Sequence, residues 1–198
     1  MRLKRTGTLD VSRTPLVVLF ADASQLATWQ GLRGGFHEAV RVTGRADVSV
    51  HWSGTIEGVE GAPVDWDGGC GVLANLGEPV TVPVVEIYGD GDAFVLGAID
   101  WGPRSGDVGR SQAASATALG EVRIHTGVLA MTSAPEPPVG FGSARLEAAR
   151  AKGTVRFDWG VLSRVTPGLY EVRLELVGLS KEAAKKGHRR LIISRSDL

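Results

Sequence analysis

The chain has 198 residues, 43% of them hydrophobic, and 22 basic and 22 acidic side chains leave it without formal net charge. Its length and apolar content are ample for one large domain, or two small ones, with a buried core. Overall neutrality argues against a dedicated nucleic-acid-binding protein, which is usually basic. The single cysteine, Cys70, excludes an intramolecular disulfide and any site built from several cysteines, and it suits a reducing compartment.

The amino terminus begins with basic residues but does not continue as an export signal. The apolar stretch that follows Met1–Arg5 is broken by Asp10 and Pro15. The longest apolar run, Leu16–Ala21, has six residues, whereas a membrane-spanning helix needs about 20. We therefore expect a soluble, cytoplasmic protein with no membrane partner.

Alternation of apolar and polar residues predicts a mainly β domain, built as a sandwich or a partly open barrel. The clearest predicted strand is Tyr170–Leu176, in which Glu171, Arg173 and Glu175 separate the apolar positions. Val48–Trp52 and Glu121–His125 alternate in the same way. Further strands are predicted at Leu16–Ala21, Val80–Tyr88, Ala93–Ile99, Val128–Met131 and Leu191–Ile193.

Two or three short helices complete the prediction. Glycines interrupt Ser24–Val40, so at most one or two turns are expected there. Phe141–Lys152 is a better candidate, with Ser143 as its cap and Gly153 in the left-handed position that ends it. Ser180–Lys186 is the third, and its lysines belong to a basic cluster that we interpret as a solvated surface.

A short match between the two halves raises the possibility of internal duplication. Gly7–Val11 and the following Leu16–Val18 align without a gap on Gly120–Ile124 and Leu129–Met131. We therefore consider one domain, 1–198, made of two pseudo-repeats, about 7–104 and 120–198. A Gly/Ser/Ala-rich connector, 105–119, would join them. The competing explanation is that alternating strands resemble one another by composition alone.

Acidic residues are concentrated in the middle of the chain. Eleven carboxylates lie between Asp47 and Asp107, accompanied by one basic residue, Arg104. Such a segment could dock on a cationic partner, or it could be a set of solvated loops. Trp52 and Trp159 are assigned to the core, whereas Trp66 and Trp101 adjoin aspartates and are the plausible surface anchors. The candidate binding residues stand in predicted turns: Asp65, Trp66, Asp67, Asp90, Asp92, Asp100, Trp101 and Asp107.

Other uses of these residues find less support. The Asp-x-Asp pairs at Asp65 and Asp90 lack the remaining ligands of a calcium loop, so no metal or other cofactor is expected. Exposed Trp and Asp could instead bind carbohydrate or another small ligand. No hydrolase, nucleotide-binding or zinc-protease motif is present, so we expect a protein that is not an enzyme. Opposite charges on one chain also permit homo-oligomers.

A resemblance to a family appears in the last 80 residues or so. Gly120–Ala134, Phe157–Gly160 and Val165–Leu174 form a strand pair followed by a Pro-Gly-x-Tyr turn and strand. This layout resembles the competence-type nuclease inhibitors and some immunity proteins of bacterial polymorphic toxin systems. The resemblance implies binding without catalysis: an immunity or inhibitor protein whose acidic face docks on a basic toxin or nuclease.

Overall fold

The computed structural model describes residues 4–10, 17–51, 55–75, 84–89, 92–98, 113–177 and 188–196, and it is mostly β as expected. Two antiparallel sheets pack face to face, as in a β-sandwich. None of the described helices combines the length and apolar character needed to cross a bilayer. The strands of the first half are Lys4–Asp10 (β1), Val17–Asp22 (β2), Arg41–Val42 (β3), Ser49–Val50 (β4), Ile56–Glu57 (β5), Gly61–Trp66 (β6), Gly69–Asn75 (β7), Val84–Gly89 (β8) and Ala93–Ala98 (β9).

The second half contributes six strands, and the helices lie in the connections. The strands are Ala113–Ile124 (β10), Val128–Ser133 (β11), Thr154–Phe157 (β12), Gly160–Arg164 (β13), Gly168–Val177 (β14) and His188–Arg195 (β15). Two 3₁₀ helices, Ala23–Thr28 and Gly34–Ala39, follow β2, and the α-helix α1, Ser143–Lys152, follows β11.

The order of the strands differs between the two sheets. Sheet A runs β1-β8-β9-β15-β14-β10, and sheet B runs β12-β13-β11-β2-β7-β6-β3. A two-stranded ribbon, β4-β5, lies apart from both. Strand β10 packs over β6 and β7, and β1 packs over β12 and β13, so the edges of sheet A lie above the two hairpins of sheet B.

The centre of sheet B is buried on both faces, which explains the continuous apolar strands β2 and β11. Phe20 and Met131 point into the core between the sheets, where they meet residues such as Tyr170 and Ile193 of sheet A. The next residues along the strands, such as Leu19 and Ala130, face the opposite side. The two connections that carry the helices cover that side, so β2 and β11 are buried at every position.

The strand topology of the first half is repeated in the second. In each half the first strand is an edge of sheet A and the second is central in sheet B. A hairpin then adds to sheet B and a second hairpin adds to sheet A. The matching strands are β1, β2, β6, β7, β8 and β9 in one half and β10, β11, β12, β13, β14 and β15 in the other.

The strand register and the interruptions of the ladders also correspond between the two halves. Residues of the two halves correspond at an offset of 113, so that Val18 corresponds to Met131 and Phe20 to Ser133. The pairs Val18–Ser133 and Phe20–Met131, which this relation interchanges, both occur between β2 and β11. The ladder of β1 is interrupted between Arg5 and Gly7, and that of β10 between Ala118 and Gly120, again 113 residues apart. Bulges are specific local features, so the shared bulge position is a further structural similarity between the halves, and the internal duplication itself stays a prediction.

Several sequence predictions need adjustment. Residues 113–119 of the predicted connector 105–119 begin β10, and 105–112 lie outside the described residues. α1 begins at Ser143, and no side chain caps it, whereas Gly153 does end it with a positive φ of 97°. Val48–Trp52 shortens to β4 because a two-residue ribbon uses only Ser49 and Val50. The predicted helix 180–186 and Trp52 lie outside the described residues.

The repeated topology predicts that the halves can exchange their order in the chain. Lys4 and Arg195 lie at the same end of sheet A, on strands separated by β8 and β9. Ala98 and Ala113 are both at the opposite end of sheet A, on strands separated by β15 and β14. Three strand spacings, roughly 14 Å, separate each pair. We consider a circular permutant that is opened within 99–112 and whose original ends are joined by a linker that spans roughly 14 Å. Its free energy of unfolding should equal that of the parent chain to within about 1 kcal/mol.

Urea denaturation of the permutant and the parent chain measures this. A control permutant opened in the turn 125–127 breaks the short passage from sheet A to sheet B and should be clearly less stable. Equal loss of stability in the two permutants would contradict the equivalence of the halves.

Candidate binding surface

Half of the candidate binding residues fall in the part of the chain that the structure describes. Asp65, Trp66 and Asp67 lie together in the β6–β7 hairpin, and Asp92 precedes β9 in sheet A. Asp90, Asp100, Trp101 and Asp107 lie outside the described residues, so these predictions concern positions without a structural account.

The β6–β7 hairpin has a turn of two residues. Trp66 pairs with Gly69, and Asp67 and Gly68 form the tip, where Gly68 has a φ of 89°. Asp-Gly suits such a turn because glycine adopts positive φ without strain. A Cβ on Gly69 would collide with the indole ring of Trp66. The local sequence therefore fixes the turn and seats the tryptophan.

Trp66 is a core residue, so its prediction as an exposed anchor is wrong. Its side chain is 5% exposed and packs with Val64 and Ala62 toward the covered side of sheet B, as the alternation of β6 requires. The indole Nε1 donates to Thr28 Oγ1 at 2.8 Å, and the ring meets Trp29 edge-to-face with centroids 4.9 Å apart. The indole thus anchors the hairpin to the first 3₁₀ helix.

The carboxylates beside Trp66 are exposed but differ in their surroundings. Asp65 faces Arg41 in the register of β3 and β6, and Thr43 Oγ1 donates to its Oδ2 at 3.0 Å. Asp67 stands at the tip, where no described residue pairs with it. The Arg45 guanidinium, as a hydrogen-bond donor, lowers the pKa of Asp47 to about 2. Arg45, which lies outside the acidic segment, therefore compensates part of its charge.

Asp92 belongs to another part of the molecule. Its backbone carbonyl accepts from Arg195 N at 2.9 Å, in the turn between β8 and β9 of sheet A. Strand β10, which covers β6 and β7, is three strand spacings from β9, or roughly 14 Å. Among the described residues, the predicted acidic set therefore divides into a hairpin tip and a separate turn.

The second half carries an equivalent hairpin with different residues. Phe157 pairs with Gly160, and Asp158 and Trp159 form the two-residue tip between β12 and β13. A Cβ on Gly160 would collide with the Phe157 ring, and Phe157 meets Phe141 edge-to-face at 5.9 Å. An aromatic residue, an aspartate and a packed glycine therefore recur at the tips of both hairpins of sheet B.

Trp159 is where the second tip departs from the first. Its φ is 63°, the only positive value at a non-glycine residue in the described part of the chain. Its backbone carbonyl accepts from Ser133 N at 2.8 Å and Thr132 Oγ1 at 3.0 Å, which holds the conformation. The prediction that Trp159 fills the core is wrong, because the turn leaves its side chain half-buried. A bulky residue in this region is uncommon and indicates strain or function.

An exposed apolar residue lies close to this second tip. Val139, 53% exposed, is the exposed large hydrophobic side chain of the described residues. The next residue, Gly140, borders the Asp158 carboxylate and the Arg145 guanidinium. The second tip therefore combines an aromatic ring, an apolar side chain and two charged groups.

A buried carboxylate ties the two halves together near the first hairpin. Asp22, at the end of β2, accepts from Ser24 N and Oγ within its own half. From the second half it accepts from His125 N at 2.6 Å, Thr126 N at 2.9 Å and Thr126 Oγ1 at 2.8 Å. Burial raises the pKa of Asp22, but these donors stabilise the anion and the net pKa is lowered.

Within the described part of the chain, the remaining reactive side chains form no recognisable site. Cys70 is exposed, with its Sγ 3.8 Å from Gln25 Oε1. His51 lies 3.4 Å from Glu57, whereas His125 is exposed in the turn after β10. No three His, Cys, Asp or Glu side chains within the described ranges converge in a way that could hold a metal ion.

Comparisons with known proteins do not assign a function, so the interpretation of the site rests on its geometry. No protein-family model, no curated protein and no solved structure matches the chain. The resemblance to nuclease inhibitors and immunity proteins accordingly stays a prediction, and the candidate surfaces are the two hairpin tips of sheet B.

The Asp22 contacts predict a pH-dependent stability. Asp22→Asn places an amide NH₂ among backbone N–H donors and should lower the free energy of unfolding by about 2–4 kcal/mol at neutral pH. A carboxylate whose pKa is lowered by folding stabilises the protein above its unfolded value of about 3.9. That contribution is lost as the pH falls through the folded pKa, so the difference between variant and parent should shrink in acid.

Urea denaturation at neutral pH and below pH 4 measures the effect. Asp158→Asn removes an equal charge from an exposed turn and should change the stability by less than about 0.5 kcal/mol. A destabilisation of Asp22→Asn that persists undiminished in acid would show that the ionised carboxylate is not its source.

Proposed function

We propose that this protein is a non-catalytic binding module that docks on a basic protein partner, as an inhibitor or immunity protein does. The observation that carries the proposal is the end of the β6–β7 hairpin, where Asp65 in β6 and Asp67 at the tip are exposed on either side of buried Trp66. Exposed carboxylates attract a cationic surface and speed the encounter. The tip is the described part of the acidic segment that best fits this role.

Rigidity of the hairpin supports the same role. The Trp66 ring is packed on Trp29, its Nε1 is bound by Thr28, and Gly69 fits against its face. A tip held in one conformation loses little conformational entropy when it binds. A cytoplasmic location completes the proposal, since the exposed thiol of Cys70 suits a reducing compartment.

Charge reversal at one tip, with the other as a control, tests the proposal. Asp67→Lys should weaken binding to a basic nuclease domain at least tenfold, because it puts like charges in contact. Asp158→Lys makes the same change at the same turn position of the other hairpin and should bind normally. Calorimetric titration against a panel of purified basic nuclease domains, with inhibition of nuclease activity, gives the readout. Absence of binding by the parent chain, or equal binding by both variants, would contradict the proposal.

The second hairpin favours a different candidate function, binding of a carbohydrate or another small ligand. Trp159 offers a half-buried ring in the same turn as Asp158, whose carboxylate borders Gly140 together with the Arg145 guanidinium. An aromatic ring with polar groups of this kind can stack on a sugar and bind its hydroxyls. The positive φ of Trp159 is a further reason to consider it, because glycine would fit the turn with less strain.

Replacing the ring without disturbing the turn tests this second candidate. Trp159→Gly copies the residue that the first hairpin uses and should keep the fold, yet it should abolish retention on a glycan array. Trp159→Phe keeps an aromatic face and should retain weaker binding. If the parent chain binds no glycan, or if Trp159→Gly binds as well as the parent, the ring has no such role.

A further inference from the structure

Strand β10 is an open edge of sheet A. It pairs with β14 on one side, and no strand of the described residues pairs with its other side. Ser115, Ala116, Thr117 and Ala118 are all exposed, although successive side chains point to opposite faces of a strand. Both faces of the strand are therefore accessible along this stretch, and so is its row of backbone N–H and C=O groups.

The residues of this edge strand lack the usual features that prevent strand pairing. Natural edge strands are commonly blocked by charged side chains or proline. Neither occurs between Ala113 and Gly120, whereas the equivalent edge β1 carries exposed Lys4 and Arg5. Irregularities in the ladder fall on either side of Ser115–Ala118, so these four residues form a regular segment between them.

We infer that the β10 edge pairs with the β10 edge of a second copy of the chain, antiparallel and centred on Ala116. This register places Ala116 opposite Ala116 of the partner subunit. It also pairs Ser115 with the partner subunit's Thr117, and Thr117 with the partner subunit's Ser115. Cross-strand Ser–Thr pairs are favourable, and no charged residues are placed opposite each other in this segment.

A second copy fits this edge better than a charged partner does. The segment itself is neutral, and the chain has no formal net charge, so two copies approach without long-range repulsion. Pairing of identical edges about a twofold axis closes the assembly as a dimer. Pairing of β10 with β1 of another copy would propagate into filaments, and the exposed charges of Lys4 and Arg5 oppose it.

A lysine at the centre of the edge tests the inference. Ala116→Lys places two ammonium groups opposite each other in the dimer, and its exposed position leaves room for the side chain in the monomer. We expect the dissociation constant of the dimer to rise at least tenfold in sedimentation-velocity titrations of the full chain. Ala144→Lys makes the same change at an exposed position of α1 and should leave the dissociation constant unchanged.

Cysteine cross-linking reports the register independently. Directly opposed residues have Cα atoms about 4.5–5.5 Å apart, which a disulfide can span. In a Cys70→Ser background, Ala116→Cys should form a covalent dimer on mild oxidation, whereas Ala144→Cys should not. A monomer at every concentration, filaments instead of dimers, or equal cross-linking at the two positions would each overturn the inference.

Discussion

The pairing of β2 with β11 is the contact on which the rest of the structure depends. Both strands are buried at every position, and they join the two halves at the centre of sheet B. Each half supplies three strands to one side of sheet A and at least three to one side of sheet B. Asp22 reinforces the junction by binding the turn 125–127 of the other half. The hairpins extend outward from this shared centre.

The two outer hairpins of sheet B share the residues that fix their turns but differ in the residues exposed at their tips. The aromatic residue and the packed glycine fix the same two-residue turn in both hairpins, so the tip residues are free to vary. One tip presents Asp67 with Gly68 and the other presents Asp158 with Trp159. The strain that Trp159 introduces is tolerated because Thr132 and Ser133 hold its carbonyl in place. Binding properties can therefore diverge between the halves while the sheets remain alike.

Local alternation predicted most strands of sheet A and the central strands β2 and β11, but it missed the two outer hairpins of sheet B, β6–β7 and β12–β13. It also described the environment of single side chains less well. Tyr170, Val172 and Leu174 are buried as the pattern indicated. Trp66, expected at the surface, is buried, and Trp159, expected in the core, is only half-buried. Trp66 is buried because it faces a side of sheet B that only the connections between strands cover. The Asp158-Trp159 turn could have been found from its similarity to Trp66–Gly69. The position of Arg41 opposite Asp65 could not, since 24 residues separate them in sequence.

The central position of β2 and β11 also constrains how the chain is made. Val17–Asp22 leaves the ribosome long before its partner Val128–Ser133, and translation of the intervening segment takes roughly 5–20 s. Until then the first half has an apolar strand with one unpaired edge, at the place where another nascent chain could bind. Synthesis thus includes an interval in which the chain is prone to aggregate, although the same strand edge is paired in the folded protein. Contacts this distant in sequence also favour slow folding.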